Sequence, residues 1–484
     1  MRSDSRPIMG MQLDEAPVAV GGARVARRNG LGARLRPGGG PSDESIWRNK
    51  NFLLLWLAQA ISQTAQNAIW YGIVVLVQQR SNSSTQLSVA VLTLIIPSVI
   101  FGVLAGVYVD RWDKRLVLIA TNLIRGAIAF SYALFGFVPD LPLGLLFVIN
   151  FLFSTVGQFF APAETAMIPS VVARPKLLQA NSLFHLTFTA SQLVGLVVLG
   201  PLLVKLSGVD GLFIGMASAI VVCGALVWPL PSSRGEHDPH VAASGRQAIQ
   251  GVWQDVKDIG SFVLGDRVVA LAMVQWTIGA ILGLVVATLV PGFATRLLHV
   301  RAEDAVFIMA PAGIGMVAGT GLLNRWGDRL EKHFLTNVGL FIVAMCLTLI
   351  GGLAFFSELM VQGNPPMVDL PALGQVSVIV VPVMVLALLA GLGFVSIMVP
   401  AQTFLQERAP VELRGRVFAV QLMLSNLASI VPLLLLGGLA DLIGVDRTLM
   451  LIGVLIIVAG AISLRIAPGR APWRQRGQVG SLER

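Results

Sequence analysis

Charge is scarce in this 484-residue chain. Only 13% of its residues are Asp, Glu, Lys or Arg, about half the ~25% of a soluble globular protein. That shortage excludes a water-soluble domain. With 55% hydrophobic residues and a mean hydropathy of +0.77, the chain belongs in a membrane. Cysteine is scarcer still: Cys223 and Cys346 each lie within an apolar run, which excludes a disulfide framework. The five histidines are scattered. Neither a glycine-rich phosphate loop, a metal-ligand cluster nor a serine–histidine arrangement is found, so no enzyme, no metal and no cofactor is expected. The 50 glycines and 25 prolines suit membrane helices, where both are commoner than in soluble ones.

What is present is a series of apolar runs, each near the ~20 residues a bilayer requires. They fall at about 52–77, 86–109, 116–138, 142–165, 180–204 and 210–230, then 268–294, 304–324, 334–356, 377–404, 415–440 and 446–466. The expected fold is therefore an all-α membrane protein with twelve transmembrane helices in two pseudo-symmetric six-helix bundles. The expected layout is a disordered basic tail at 1–45, a first bundle at 46–230, a linker at 231–267, a second bundle at 268–467 and a tail at 468–484. In the linker, Ile249, Val252, Trp253, Val256, Ile259 and Val263 keep helical spacing and predict an amphipathic helix at the membrane interface.

The net charge of +9 invites a nucleic-acid reading, and its distribution argues against one. Of 35 Lys and Arg, five (Arg80, Lys205, Arg296, Arg301 and Arg447) fall in loops on one side, and Arg125 lies inside the third run. The remaining 29 fall on the other side, with both tails. The positive-inside rule makes that side cytoplasmic. A multi-pass protein of the cell membrane with both termini in the cytoplasm is expected. Its partners would be the lipid bilayer and a small-molecule substrate, with a monomer as the default.

One hairpin organises the rest. The run GVLAGVYVDRWDKR, Gly102 to Arg115, joins the second helix to the third. Its pattern is Gly106, Asp110, Arg111, Lys114 and Arg115, a G-x-x-x-D-R-x-x-[KR]-R motif. The chain also repeats itself. Pro162-Ala163-Glu164-Thr165 returns as Pro400-Ala401-Gln402-Thr403, Gly208-Val209-Asp210 as Gly444-Val445-Asp446, and Asp110-Arg111-Trp112 in worn form as Asn324-Arg325-Trp326. Such matches, in the same order, are the trace of two parallel repeats that enclose a substrate cavity near the midplane.

The hairpin motif resembles the signature loop of the major facilitator superfamily. Phe160-Ala161-Pro162-Ala163 through Pro169, Gln179-Ala180-Asn181-Ser182-Leu183 and Arg414-Gly415-Arg416-Val417-Phe418 resemble its macrolide-efflux-like branch, which also includes siderophore exporters. The resemblance implies secondary active export of a lipophilic compound by alternating access, usually against protons. It implies that the hairpin residues form a cytoplasmic latch. Gly195, Gly200 and Pro201 are similar to a shortened antiporter motif, and they also suit plain helix packing. Relatives often carry an acid near the position of Gln66, whereas the first helix here has none. That opens a rival reading, an uncoupled facilitator or a flippase for lipid-like substrates. A third is a sensor or scaffold that transports nothing.

Proton coupling requires a titratable group in the membrane, and Glu164 and His185 are the candidates. Polar residues in spanning helices face protein or water. The candidate cavity is therefore Gln59, Gln63, Asn67, Arg125, Asn150, Gln192, Gln275, Trp276, Gln421 and Asn426. Arg125, a buried cation, is either a hydrogen-bond hub or a contact for an anionic substrate group. Trp70 and Tyr71 suit either stacking on a lipophilic substrate or interfacial anchoring.

Overall fold

The computed structural model describes residues 46–138, 140–233, 257, 259–261, 263, 265–298, 300, 306–327, 331–360, 367–370, 374–408 and 414–466. Twelve long helices fill it. They are α1 (Lys50–Ser81), α2 (Ser84–Arg111), α3 (Lys114–Tyr132, prolonged by a turn at Leu134–Phe137), α4 (Leu143–Val171), α5 (Leu177–Leu193) and α6 (Gly200–Val227). Then come α7 (Arg267–Arg296), α8 (Val306–Trp326), α9 (Lys332–Met360), α10 (Val380–Arg408), α11 (Arg414–Ile443) and α12 (Val445–Ile466). A hairpin of β1 (Met367–Leu370) and β2 (Gly374–Ser377), antiparallel, is added between α9 and α10, tied down by Ser377 N–H to Leu298 O at 3.2 Å.

Each helix follows from local chemistry. The Asn49, Ser83, Asp113 and Asp266 side chains cap α1, α2, α3 and α7 by accepting from the first free amides, as such residues do at helix starts. Among the described residues, eight stretches are long and apolar enough to cross a membrane. One, Arg174–Val227, is 54 residues long, twice a bilayer's need, and turns back at Gly208, whose φ of 73° only glycine adopts readily. It holds two spans. The first helix falls short of that hydropathy because Gln59, Gln63, Gln66 and Asn67 dilute it.

The helices pack as two groups, α1–α6 and α7–α12, as an internal repeat demands. Two hydrophobic clusters fill the first group, around Phe153 and Phe213 and around Phe52 and Met167. The largest cluster fills the second and takes in Val91, Leu92 and Ile95 of α2, so α2 bridges the groups. In the linker, Lys257, Ile259, Gly260, Ser261, Val263 and Gly265 are helical, with Ile259 and Val263 buried against α7, α10 and α11. The rest of the amphipathic segment and both tails lie outside the described residues.

Between α5 and α6 the chain widens into a π turn, Val194–Leu199, where the Gly200 N–H reaches back five residues to Gly195 O. Pro201, next in line, has no amide to continue the α pattern. Gly195 is pressed on α1: a Cβ there would lie 2.4 Å from Thr64 O and 2.7 Å from the Asn67 Cβ. Gly195→Ala is therefore expected to destabilise the protein by about 1–3 kcal/mol through overpacking, read as a lowered unfolding midpoint. An unchanged midpoint would mean that α1 and the π turn are not held this close.

Candidate functional site

The end of the molecule that carries the signature loop is here called the signature end, and the opposite one the far end. Arg125 on α3 is only 1% exposed. Its Nη2 donates to Gln66 Oε1 at 2.5 Å and its Nη1 to Ser62 Oγ at 3.4 Å. The guanidinium lies over two rings, Phe153 at 4.9 Å and Phe160 at 5.4 Å. These rings sit seven residues apart on α4, hence on one face. A cation in hydrocarbon needs such partners. Its Nε has none, and Gly157 beside it leaves the approach open.

Arg125 forms part of the wall of a polar chamber of about 240 Å³, which Gln63, Gln66, Asn67, Gln158 and Gln192 also line. Glu164, one turn beyond Phe160, is 6% exposed; its Oε1 has no hydrogen-bond partner. Glu164 and Arg125 interact electrostatically, but no ion pair within 4 Å joins them. Glu164 lies off the chamber wall. A second chamber of about 230 Å³ is bounded by Trp70 and Tyr71 of α1, the π turn, α7 and α8. Gln192 lines both chambers.

Four of the sequence candidates, Gln63, Asn67, Arg125 and Gln192, thus share one space. The others lie elsewhere. Gln59 donates to Phe184 O at 3.3 Å. Asn150 is fully buried and bonds Tyr132, Ala90 and Thr93. Gln275 donates to Asn337 at 3.5 Å, and Gln421 to Met273 O at 3.2 Å. Trp276 is half-buried beside Gln275 and lines neither chamber. Asn426 donates to Ser98 Oγ at 3.1 Å, across the groups. His185 is exposed and away from both chambers. Gly200 and Pro201 pack where α6 meets α1.

At the signature loop, Lys114 is buried and donates through Nζ to Asp110 O at 2.9 Å. Arg115 stands over Trp228 at 5.8 Å. Asp110 and Arg111 are exposed, and a Cβ at Gly106 would meet nothing within 4 Å. Sequence reasoning passed over Asp113, which caps α3 through Arg115 N–H at 3.0 Å and accepts from Ser232 Oγ and Ser233 N–H in the segment that follows α6. Partial burial pushes its carboxyl up, but these hydrogen bonds outweigh it and hold the carboxyl below its ordinary 3.8. A carboxyl so depressed stabilises the fold above that value and stops doing so as the pH falls through its lower, folded value. Asp113→Ala is expected to cost about 1 kcal/mol near neutral pH and less in acid, which unfolding at both pH values would show. A loss equal at both would deny the carboxylate its role.

The far end carries a clasp built on Asp441, a helix-end carboxylate for which sequence suggests a solvated, snorkelling or capping role but not its partners. Asp441 of α11 caps the start of α2. It accepts from Ser83 Oγ at 2.6 Å, Ser84 N–H at 2.8 Å, Thr85 N–H at 2.9 Å and Thr85 Oγ1 at 2.7 Å. Arg296 of α7 pairs with it at 3.2 Å and bonds the Asn82 backbone carbonyl. Gln78 donates to Thr295 Oγ1 at 2.9 Å. The run Ser83-Ser84-Thr85 was the available signal, since free amides follow it at a helix start.

Residues 55–432 match the family profile described as Major Facilitator Superfamily. Macrolide efflux protein A of Streptococcus pyogenes is 26% identical over 417 residues, 85% of this chain and 94% of that protein. Multidrug efflux pump Tap of Mycobacterium tuberculosis is 24% identical over 401 residues, 81% and 87% of the two chains. Among solved structures, the nucleoside transporter NupG superposes with a TM-score of 0.62 at 11% identity, covering 87% of this chain and 99% of that one. A bacterial homologue of the lysosomal transporter Spinster, inward-facing and occupied, gives 0.63 at 12%, covering 87% and 97%. These two share the fold.

Proposed function

The chain belongs to the major facilitator superfamily of membrane transporters, and from that premise we propose that it exports a small amphipathic compound in exchange for protons. The two groups of helices rock about the central chambers, so that the substrate site faces each side in turn. The signature end is cytoplasmic, as are both termini, and the protein sits in the cell membrane. The hairpin Gly106, Asp110, Arg111, Lys114 and Arg115 is the latch that closes the signature end once the far end opens.

The observation that carries the coupling is Glu164: a carboxyl buried to 6% exposure, without a partner for Oε1, within electrostatic reach of Arg125. A carboxylate in hydrocarbon is costly unless it is paired or takes a proton. The export direction is supported by relatives whose names say efflux. One observation favours a second reading, an uncoupled facilitator or flippase: among the described residues no carboxylate lines either chamber.

Purified protein in liposomes under an imposed pH gradient separates the two. Addition of a macrolide or a lipophilic cation is expected to release protons across the membrane, and Glu164→Gln to abolish that flux. Substrate movement indifferent to the gradient would sink the exchange reading and leave the second one.

A further inference from the structure

The chamber beyond Gln192 is almost wholly apolar, walled by Trp70, Val74, Leu196, Val197, Ala287 and Met316. Neither group of helices encloses it alone. One wall is α1 and the π turn, the other α7 and α8. Trp70 packs against the hydrophobic clusters of both groups. The seam on the opposite side is sealed: α2 and α11 pack closely, Asn426 bonds Ser98, and Gly437 is pressed on Ser88. On this side the π turn and α8 barely touch. Val194, Val198, Ile314 and Val317 beside them are exposed, which in a membrane means exposed to hydrocarbon. Gly313 lines the chamber, and a Cβ there would meet nothing within 4 Å.

Close packing is the rule in protein interiors, so this void calls for an occupant. An apolar cavity of about 150 Å³ stays dry and takes up benzene; this one is about 230 Å³. The adjoining chamber is lined by Arg125, already engaged by Gln66, Ser62 and two aromatic rings, and by the amides of Gln63, Gln66, Asn67, Gln158 and Gln192, which both donate and accept. We propose that the apolar chamber receives the alkyl tail of a membrane-dissolved amphiphile, whose uncharged, hydrogen-bonding head occupies the amide-lined chamber across Gln192. The identity of that amphiphile as cargo rests on the export reading above; the pocket itself requires only binding.

The test uses the full chain in nanodiscs and a series of alkyl glucosides brominated at the chain end. Bromine quenches tryptophan at near contact, and the contribution of Trp70 is the difference from Trp70→Phe. Saturable quenching is expected, strongest at one tail length. Gly313→Leu, whose side chain enters open space and so spares the fold, is expected to move that optimum to shorter tails and weaken the longest probe about tenfold. Quenching that never saturates, or that Gly313→Leu leaves untouched, overturns the proposal. So does a brominated phospholipid that fills the chamber and that the glucosides fail to displace, since the occupant is then bilayer lipid. Transport of the same glucosides into liposomes keeps the two readings apart. Saturable quenching without transport leaves the tail pocket standing and removes the export reading; transport with flat quenching does the reverse.

Discussion

Arg125→Leu is expected to destabilise the protein by about 3–5 kcal/mol, the usual cost of removing one partner from a buried charge constellation. The change strips Gln66 Oε1 and Ser62 Oγ of their donor and leaves Phe153 and Phe160 without the cation between them. It also leaves Glu164 buried with no compensating charge. Desolvation has already been met for both groups, so taking both charges away should be far milder than taking one. Arg125→Leu combined with Glu164→Gln is therefore expected to recover most of the loss, giving a large favourable coupling in a double-mutant cycle. Arg125→Lys should fall between, because it keeps the charge but loses the planar fork and the ring stacking. Unfolding midpoints of the four proteins in one detergent measure the cycle. Additive losses would mean that Arg125 and Glu164 do not serve one another.

On the exchange reading proposed above, that constellation would also restrict the cargo. A proton on Glu164 removes the negative charge nearest Arg125 and leaves the site net positive. A cationic substrate then binds worse, an anionic one better, and an uncharged one is little affected. By reciprocity, a bound cation favours release of the proton, and a bound anion favours its uptake. Exchange requires the two ligands to avoid travelling together. An anionic head against Arg125, one of the two roles open to that residue from sequence, would instead carry the proton along. Exchange through Glu164 therefore fits a cation; an uncharged amphiphile, which suits the amide lining of the chamber, gains no coupling from that carboxyl and goes with the uncoupled second reading.

Much of this fold could be read from composition, because a bilayer forces spanning segments into helices. All twelve apolar runs correspond to helices, since only their length and hydropathy had to be recognised. The π turn was out of reach: its cause is Gly195 yielding to Thr64 of another helix together with Pro201 lacking an amide, and the first of these is a tertiary contact. The β-hairpin fell in a loop where short strands leave little signal. For the site, polarity was a sound guide to which residues are buried and a weak one to where they point. Asn150, Gln275 and Gln421 are buried like Arg125, yet they bond neighbouring helices instead of facing a chamber. Phe153 and Phe160 carried no polar mark at all, although Arg125 implied that something had to receive a cation there.

Asp441→Ala is expected to release the far end. In the closed arrangement this one carboxylate takes two backbone amides and two hydroxyls from the start of α2, together with the Arg296 guanidinium. It also lies at the positive pole of that helix. Most of these contacts span the two groups of helices, so they exist only while the far end is shut. Hydrogen bonds to a charged group are each worth about 1.5–3 kcal/mol when buried. At this quarter-exposed site, the sum is better taken as about 2–3 kcal/mol, which shifts the closed-to-open ratio roughly 30- to 150-fold. A carrier must hold its two states within a few kcal/mol of each other to turn over, so the change reaches transport as well as structure. Ser88 supplies the probe: it is fully buried where α2 meets Gly437 of α11. In a Ser88→Cys background, with Cys223 and Cys346 buried, a membrane-impermeant maleimide should react slowly, and at least tenfold faster once Asp441→Ala is added. Asp441→Asn, which can still accept but has no charge for Arg296, should give an intermediate rate. Equal rates in all three would mean that the apolar seam between α2 and α11 holds the far end shut without the carboxylate.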